Sequence, residues 1–196
     1  MAGEKYVVAA AENPLQIAVR NILNPNGYVF LGNCSDSISL LRLIRSYHPD
    51  FVVVDINLQL GELRNTIEVI DDEMLCACVI IGDYKDMHAV NLMQNSQVVS
   101  FCPKPLNKDM LIHVVEMSLV NYKRVFDLNR KLREMTENYE TRKVVERAKW
   151  ILMERDGLNE KDAYEKIRKK SMNDRMPMKS IAEAIIFTYE IMNKDK

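Results

Sequence analysis

Two hydrophobic patterns alternate along the first 122 residues. Short unbroken apolar runs at 5–11 (KYVVAAA), 28–31 (YVFL), 51–54 (FVVV), 78–81 (CVII) and 98–101 (VVSF) have the length and composition of buried strands. Between them, apolar positions recur at helical spacing. Leu15, Val19, Ile22 and Leu23 mark one inward face within 15–24, after Pro14, and Ile38, Leu41 and Ile44 mark another within 35–47. Uniformly apolar strands separated by amphipathic helices predict an α/β domain built on a doubly wound, five-stranded parallel sheet.

The pattern changes after residue 107. No proline occurs between Pro105 and Pro177, and no glycine between Gly82 and Gly157, so 107–155 is free to form one long helix or two nearly continuous ones. Val125, Leu128, Leu132, Met135 and Tyr139 step by 3, 4, 3 and 4, which is the seam of a short parallel coiled coil. Arg142, Glu146 and Lys149 would occupy the seam downstream, so the coil is expected to end near residue 141. Three helical patterns follow. Ala148, Ile151 and Leu152 share one face of the first, which stops at Gly157. Ala163, Tyr164, Ile167 and Ser171 share one side of the second, capped by Asn159 with Asp162 reaching back. Pro177 suits the first turn of the third. The predicted organisation is an α/β domain at 1–122, a coiled-coil linker at 123–141 and a three-helix bundle at 142–196.

Composition narrows the class. The hydrophobic fraction of 47% is ordinary for a globular chain, and no apolar run is long enough to span a membrane. The opening MAGEKYVVAAAENP has no basic n-region, so no signal peptide is expected. Cys34, Cys76, Cys78 and Cys102 lie beside or within apolar segments without zinc spacing, which fits core thiols in a reducing cytoplasm. Neither a Ser/His/Asp grouping nor a phosphate-cradling loop is visible, and His48, His88 and His113 are scattered, so an enzyme is not expected. Charge is split. Residues 1–122 carry 8 Lys and Arg against 14 Asp and Glu, whereas 123–196 carry 19 against 14. The basic half is the candidate for a polyanionic partner.

The basic half also carries a specific set of residues at fixed spacing: Ala148, Lys149, Ile151-Leu152-Met153, Gly157-Leu158, Asp162-Ala163-Tyr164, Ile167-Arg168, Ser171-Met172, Arg175 and Ile181-Ala182. Over about a quarter of the chain this order resembles the ANTAR domain, a three-helix RNA-binding module of bacterial antitermination regulators. The resemblance implies binding to paired stem-loops in nascent transcripts, so that a terminator hairpin does not form, with no covalent chemistry. Lys149, Tyr164, Arg168, Lys169, Lys170, Arg175 and Lys179 are then the expected RNA-binding residues. The cations in 166–179 are opposed only by Asp174 and suit phosphates, and Tyr164 is placed either to stack on a base or to sit half in the core. Trp150 lies off the Ala148/Leu152 stripe.

In a doubly wound sheet the site lies beyond the C-terminal strand ends. The polar residues there are Glu12, Asn13, Asp55, Asn57, Asp83 and Lys104. This constellation resembles the receiver domain of two-component response regulators, a flavodoxin-like fold. Asp55 matches the phosphoacceptor, Lys104 the lysine after strand five, and Phe101 the switch aromatic. The resemblance implies Mg²⁺, with Glu12, Asp55 and Asn57 as its ligands, although RNA binding itself needs no cofactor. The departures bear directly on that chemistry. The acidic pair after strand one is Ala11-Glu12, the hydroxyl position after strand four is Gly82 followed by Asp83, and Gln59-Leu60-Gly61-Glu62 replaces the usual loop after strand three. Mg²⁺ wants hard oxygen ligands, and one carboxylate is missing. The expected function is therefore RNA-binding antitermination by a homodimer held through the coiled coil. Its receiver-like domain lacks normal phosphorylation chemistry and answers to a sensor kinase or a sequestering protein. The competing readings are a DNA-binding response regulator and a pseudo-receiver interaction module.

Overall fold

The computed structural model describes residues 3–58, 60–83, 94 and 96–194, and the chain divides into two units between residues 128 and 129. That division lies inside the stretch read as a linker. His88 lies outside the described residues.

The five apolar runs form a parallel sheet of order β2-β1-β3-β4-β5, from β1 (Lys5–Ala9), β2 (Val29–Cys34), β3 (Phe51–Asp55), β4 (Ala77–Gly82) and β5 (Val99–Pro103). Their lack of polar alternation has a simple cause, because both faces of the sheet are covered. Val7, Val52, Val54, Cys78 and Ile80 face one core, with Leu40 and Ile44 from α2 (Ser37–Tyr47) and Leu63, Ile67 and Ile70 from α3 (Leu60–Asp72). Tyr6, Val8, Phe51, Val53, Val79 and Ile81 face the other, with Val19 and Leu23 from α1 (Asn13–Leu23) and Leu111 and Val115 from the next helix. Successive residues alternate between two apolar environments, as period-2 geometry requires.

Three local expectations are corrected. Strand β2 runs on through Gly32 and Asn33 to Cys34, pairing Val7↔Gly32, Val8↔Asn33 and Ala9↔Cys34 after a register shift; the β1 ladder overrides the poor strand propensity of Gly-Asn. In α2 the inward stripe is Ser37, Leu40 and Ile44, while Ile38 is 65% exposed. The Asp36 cap, whose Oδ1 accepts from the Ser39 amide at 2.7 Å, starts the helix, and packing of Leu40 and Ile44 on the core fixes which face turns inward. Helix α3 has no counterpart in the sequence reading, although Leu63, Ile67 and Ile70 stand at helical spacing.

The stretch beginning at 107 is one helix, α4 (Lys108–Asp156). Its first turns belong to the sheet unit. There the Tyr122 hydroxyl donates to the Met74 carbonyl at 2.6 Å, the Asn121 amide donates to the Gln97 carbonyl at 3.0 Å, and Val125 packs partly buried on the core. Val125 is thereby withdrawn from the open seam. Leu128, Leu132, Met135 and Tyr139 continue it with between 63% and 71% of their surface exposed.

The second unit joins the end of α4 to α5 (Glu160–Asp174) and α6 (Met178–Lys194). Val145, Ala148 and Leu152 meet Ala163 and Ile167 and then Ile181 and Ala182, each helix contributing an alanine that permits close approach. Gly157 (φ +66°) ends α4 and Asn159 caps α5, accepting from the Asp162 amide at 2.9 Å. Arg147 pairs with Glu190 at 2.6 Å and the Tyr189 hydroxyl donates to Glu154 at 2.8 Å, fastening α4 to α6.

Candidate functional site

In the sheet unit, β3 delivers Asp55 and β5 leads into Lys104. The Lys104 amide donates to the Gly82 carbonyl at 2.8 Å, which fixes the backbone from which its side chain returns to the strand ends. Lys104 Nζ then donates to both Asp55 oxygens, at 3.1 and 3.3 Å, and the Asn57 amide donates to Oδ1 at 3.2 Å. Asp55 is only 5% exposed, while the Lys104 side chain keeps 27% of its surface open to solvent. Glu12, Asn57 and Asp83 stand exposed around it. Ala11 brings no second carboxylate, and among the described residues no three His, Cys, Asp or Glu side chains gather as a metal site. The residues present do not compose the hard oxygen cage that Mg²⁺ needs.

Gly82 has a steric reason to be glycine. A Cβ there would lie 2.7 Å from Ile56 Cγ2, 3.2 Å from Ile56 Cβ and 3.4 Å from Phe101 Cε2. Ile56 and the Phe101 ring have filled the space that a side chain at 82 would need.

In the helical unit, the expected RNA-binding residues fall in distinct places. With Ala163 and Ile167 buried, α5 geometry sends Lys166 and Lys170 to one side, Tyr164 and Ser171 to the other, and Arg168 and Lys169 outward. Tyr164 is 41% exposed, Arg168, Lys169, Lys170 and Arg175 are exposed, and Lys179 is half-buried. Arg168 pairs with Glu165 at 3.1 Å and Lys170 with Asp174 at 2.9 Å, both on the surface, where such pairs contribute little. Arg175 holds the left-handed conformation (φ +53°) that ends α5, and its amide donates to the Met172 carbonyl.

Lys149 differs from the others. It is buried, and its ammonium donates to Glu160 at 2.7 Å and to Glu146 at 2.9 Å. The hydrogen bonds it donates to Glu160 and then to Glu146 raise its pKa, and the same contact lowers that of Glu160. The lysine thus ties α4 to the first turn of α5, with its charge already answered. Trp150 is 57% exposed.

Sequence reasoning did not find a cleft of about 400 Å³ between α5 and α6. Leu152, Ile181 and Ile185 line it, together with Arg155, Lys166 and Lys170. Its only trace in the sequence is the small pair Ser180 and Ala184, one helical turn apart.

A parallel sheet of this order, with a carboxylate and a lysine meeting at its C-terminal strand ends, defines a receiver-like unit, and a helical bundle follows it in the chain. The receiver fold is shared with the signal receiver domain of an HD domain-containing protein from Pseudomonas fluorescens (TM-score 0.56, 13% identity, 65% of this chain and 94% of that one). It is shared also with that of a modulated diguanylate cyclase from Desulfovibrio desulfuricans (TM-score 0.54, 19% identity, 62% and 97%). Residues 127–186 match the ANTAR domain. The chain is also similar to the transcriptional regulatory protein PdtaR of Mycobacterium tuberculosis, at 24% identity over 184 residues, covering 94% of this chain and 90% of that protein. The chain thus joins a receiver-like fold to an ANTAR domain at residues 127–186. Among the described residues no helix is long and apolar enough to cross a membrane.

Restoring a hydroxyl at position 82 tests the crowding. Gly82→Ser is expected to destabilise the sheet unit by about 1–3 kcal/mol in chemical denaturation, because Ile56 must move. Ile56→Ala relieves that contact, so the double variant should be more stable than the sum of the single effects, and strict additivity would refute the steric account.

Proposed function

We propose that the protein is an RNA-binding transcription antiterminator that grips tandem stem-loops in nascent transcripts. The observation that carries this reading is the exposed cationic α5 with Arg175 at its end, inside the segment matching the ANTAR domain. Arg168, Lys169, Lys170 and Arg175 present mobile charge to phosphates, Lys179 adds to it, and Tyr164 offers a half-exposed ring to an unpaired base. Lys149 contributes by holding α4 against α5 rather than by touching RNA. The reaction is binding alone and takes no cofactor, and the place of action is the cytoplasm, where transcripts emerge.

The exposed seam Leu128, Leu132, Met135 and Tyr139 supports a parallel homodimer. Two binding domains on one dimer would engage two hairpins with a gain from effective concentration. For control, the Asp55–Lys104 pair, the missing second carboxylate and the filled space at Gly82 support a receiver that responds to a protein partner, a sensor kinase or a sequestering protein, without ordinary phosphorylation.

Arg168→Ala with Arg175→Ala should abolish the mobility shift of a tandem stem-loop RNA at physiological salt while duplex DNA competes poorly; an unchanged shift would sink the site. Leu132→Asp with Met135→Asp should halve the mass measured by light scattering, and a wild type that is already monomeric at tens of micromolar would remove the coiled coil from the account. Incubation with Mg²⁺ and acetyl phosphate should leave the intact mass unchanged, whereas a phosphoryl adduct that disappears in Asp55→Asn would restore Asp55 as a working acceptor.

A further inference from the structure

The cleft between α5 and α6 opens onto the core of the bundle. Its floor is apolar, made by the core residues Leu152 and Ile181 and the partly buried Ile185, with the exposed Met176 at its edge. Its wall on α6 is kept low by Ser180 and Ala184, the latter exposed. Thr188 also lines it, and its hydroxyl donates to the Ala184 carbonyl at 2.8 Å, so towards a ligand it acts as an acceptor.

The rim is cationic on one side. Arg155 and Lys166 share Asp156, at 2.7 and 2.8 Å, and Lys170 pairs with Asp174, so three positive charges face two negative ones. Lys170–Asp174 is a surface pair, which exchanges partners at little cost, whereas the Asp156 side chain is 22% exposed and holds both its partners, and the Lys166 ammonium keeps further donors for a phosphate. Lys166 and Lys170 are one turn apart on α5, with Cβ atoms about 6 Å apart, a spacing suited to successive phosphates of an extended strand.

From these features we infer that the cleft receives one unpaired base of the bound RNA loop, with Lys166 and Lys170 on the phosphates beside it. This inference rests on the RNA-binding reading and adds a site to it. An apolar slot accepts the face of a base splayed out of a loop, the way in which single-stranded RNA is read. The Thr188 oxygen accepts from a base N–H at the edge. The charge of the rim favours a polyanion over a neutral apolar segment, which would leave the lysines unanswered. The outward cations Arg168 and Lys169 then hold the backbone, while the cleft holds a base.

The test uses the full-length protein and hairpin RNAs selected from a pool with randomised loops. Affinity for the tightest hairpin is measured by fluorescence anisotropy, and again with each loop nucleotide made abasic in turn. Ala184→Phe fills the cleft from an exposed position, and Ser180→Leu fills it independently; thermal melting by circular dichroism checks that both fold. Each variant is expected to weaken binding about tenfold, as is one abasic position in the wild type, and combining the two should cost nothing further. Unchanged affinity in both variants, or the same abasic penalty in variant and wild type, would overturn the base-binding cleft and leave RNA binding intact. A change in oligomeric mass with RNA affinity unchanged would make the cleft a protein contact and overturn it as well. If the wild type retains no hairpin from the pool at low salt, the RNA-binding reading itself fails, and this inference with it.

Discussion

The unbroken run of i→i−4 hydrogen bonds from Lys108 to Asp156 is the constraint on which both halves of the molecule depend. A helix of this length persists only where nothing interrupts the ladder, and no Gly or Pro occurs within it. Its ends are not idle. Leu111 and Val115 complete one face of the sheet, and Val145, Ala148 and Leu152 supply one wall of the helical core. Neither core is finished without a segment of α4. Between those anchored ends the helix exposes Leu128, Leu132, Met135 and Tyr139. Apolar side chains repeated on one face of a solvated helix indicate an interaction still to be made.

The receiver-like pocket shows how several substitutions act together. Gly82 alone might be read as a lost hydroxyl. With Ile56 Cγ2 only 2.7 Å from where its Cβ would stand, and the Phe101 ring beside it, the loss is built into the packing. Asp55, almost enclosed, is then balanced by Lys104 and the Asn57 amide. Such a site holds two strand ends together as an ordinary polar network does.

Much of the architecture was legible because burial on both faces leaves a clear signature. The five runs announced the sheet, and the missing glycines and prolines announced α4. The failures share a cause, which is that position along a helix does not report its rotation. Ile38 stood at helical spacing with Leu41 and Ile44, yet the helix turns Ser37, Leu40 and Ile44 inward and leaves Ile38 exposed. Likewise the cations of α5 formed one run in sequence but surround the helix in space. Lys149 looked like another of them until Glu146 and Glu160 were seen to enclose it. The cleft was the least legible feature, since a cavity is defined by what three helices leave out.

Arg175 gives the turn between α5 and α6 a different significance. At φ +53° it occupies a conformation that costs a side-chain-bearing residue about 1 kcal/mol and costs glycine nothing. The bundle's core is small, so this is a noticeable share of its margin. The guanidinium therefore stands exposed at a chain reversal rather than along a helix face. A glycine there would return part of that margin and remove a charge, so stability and cationic surface are set against each other at this one position.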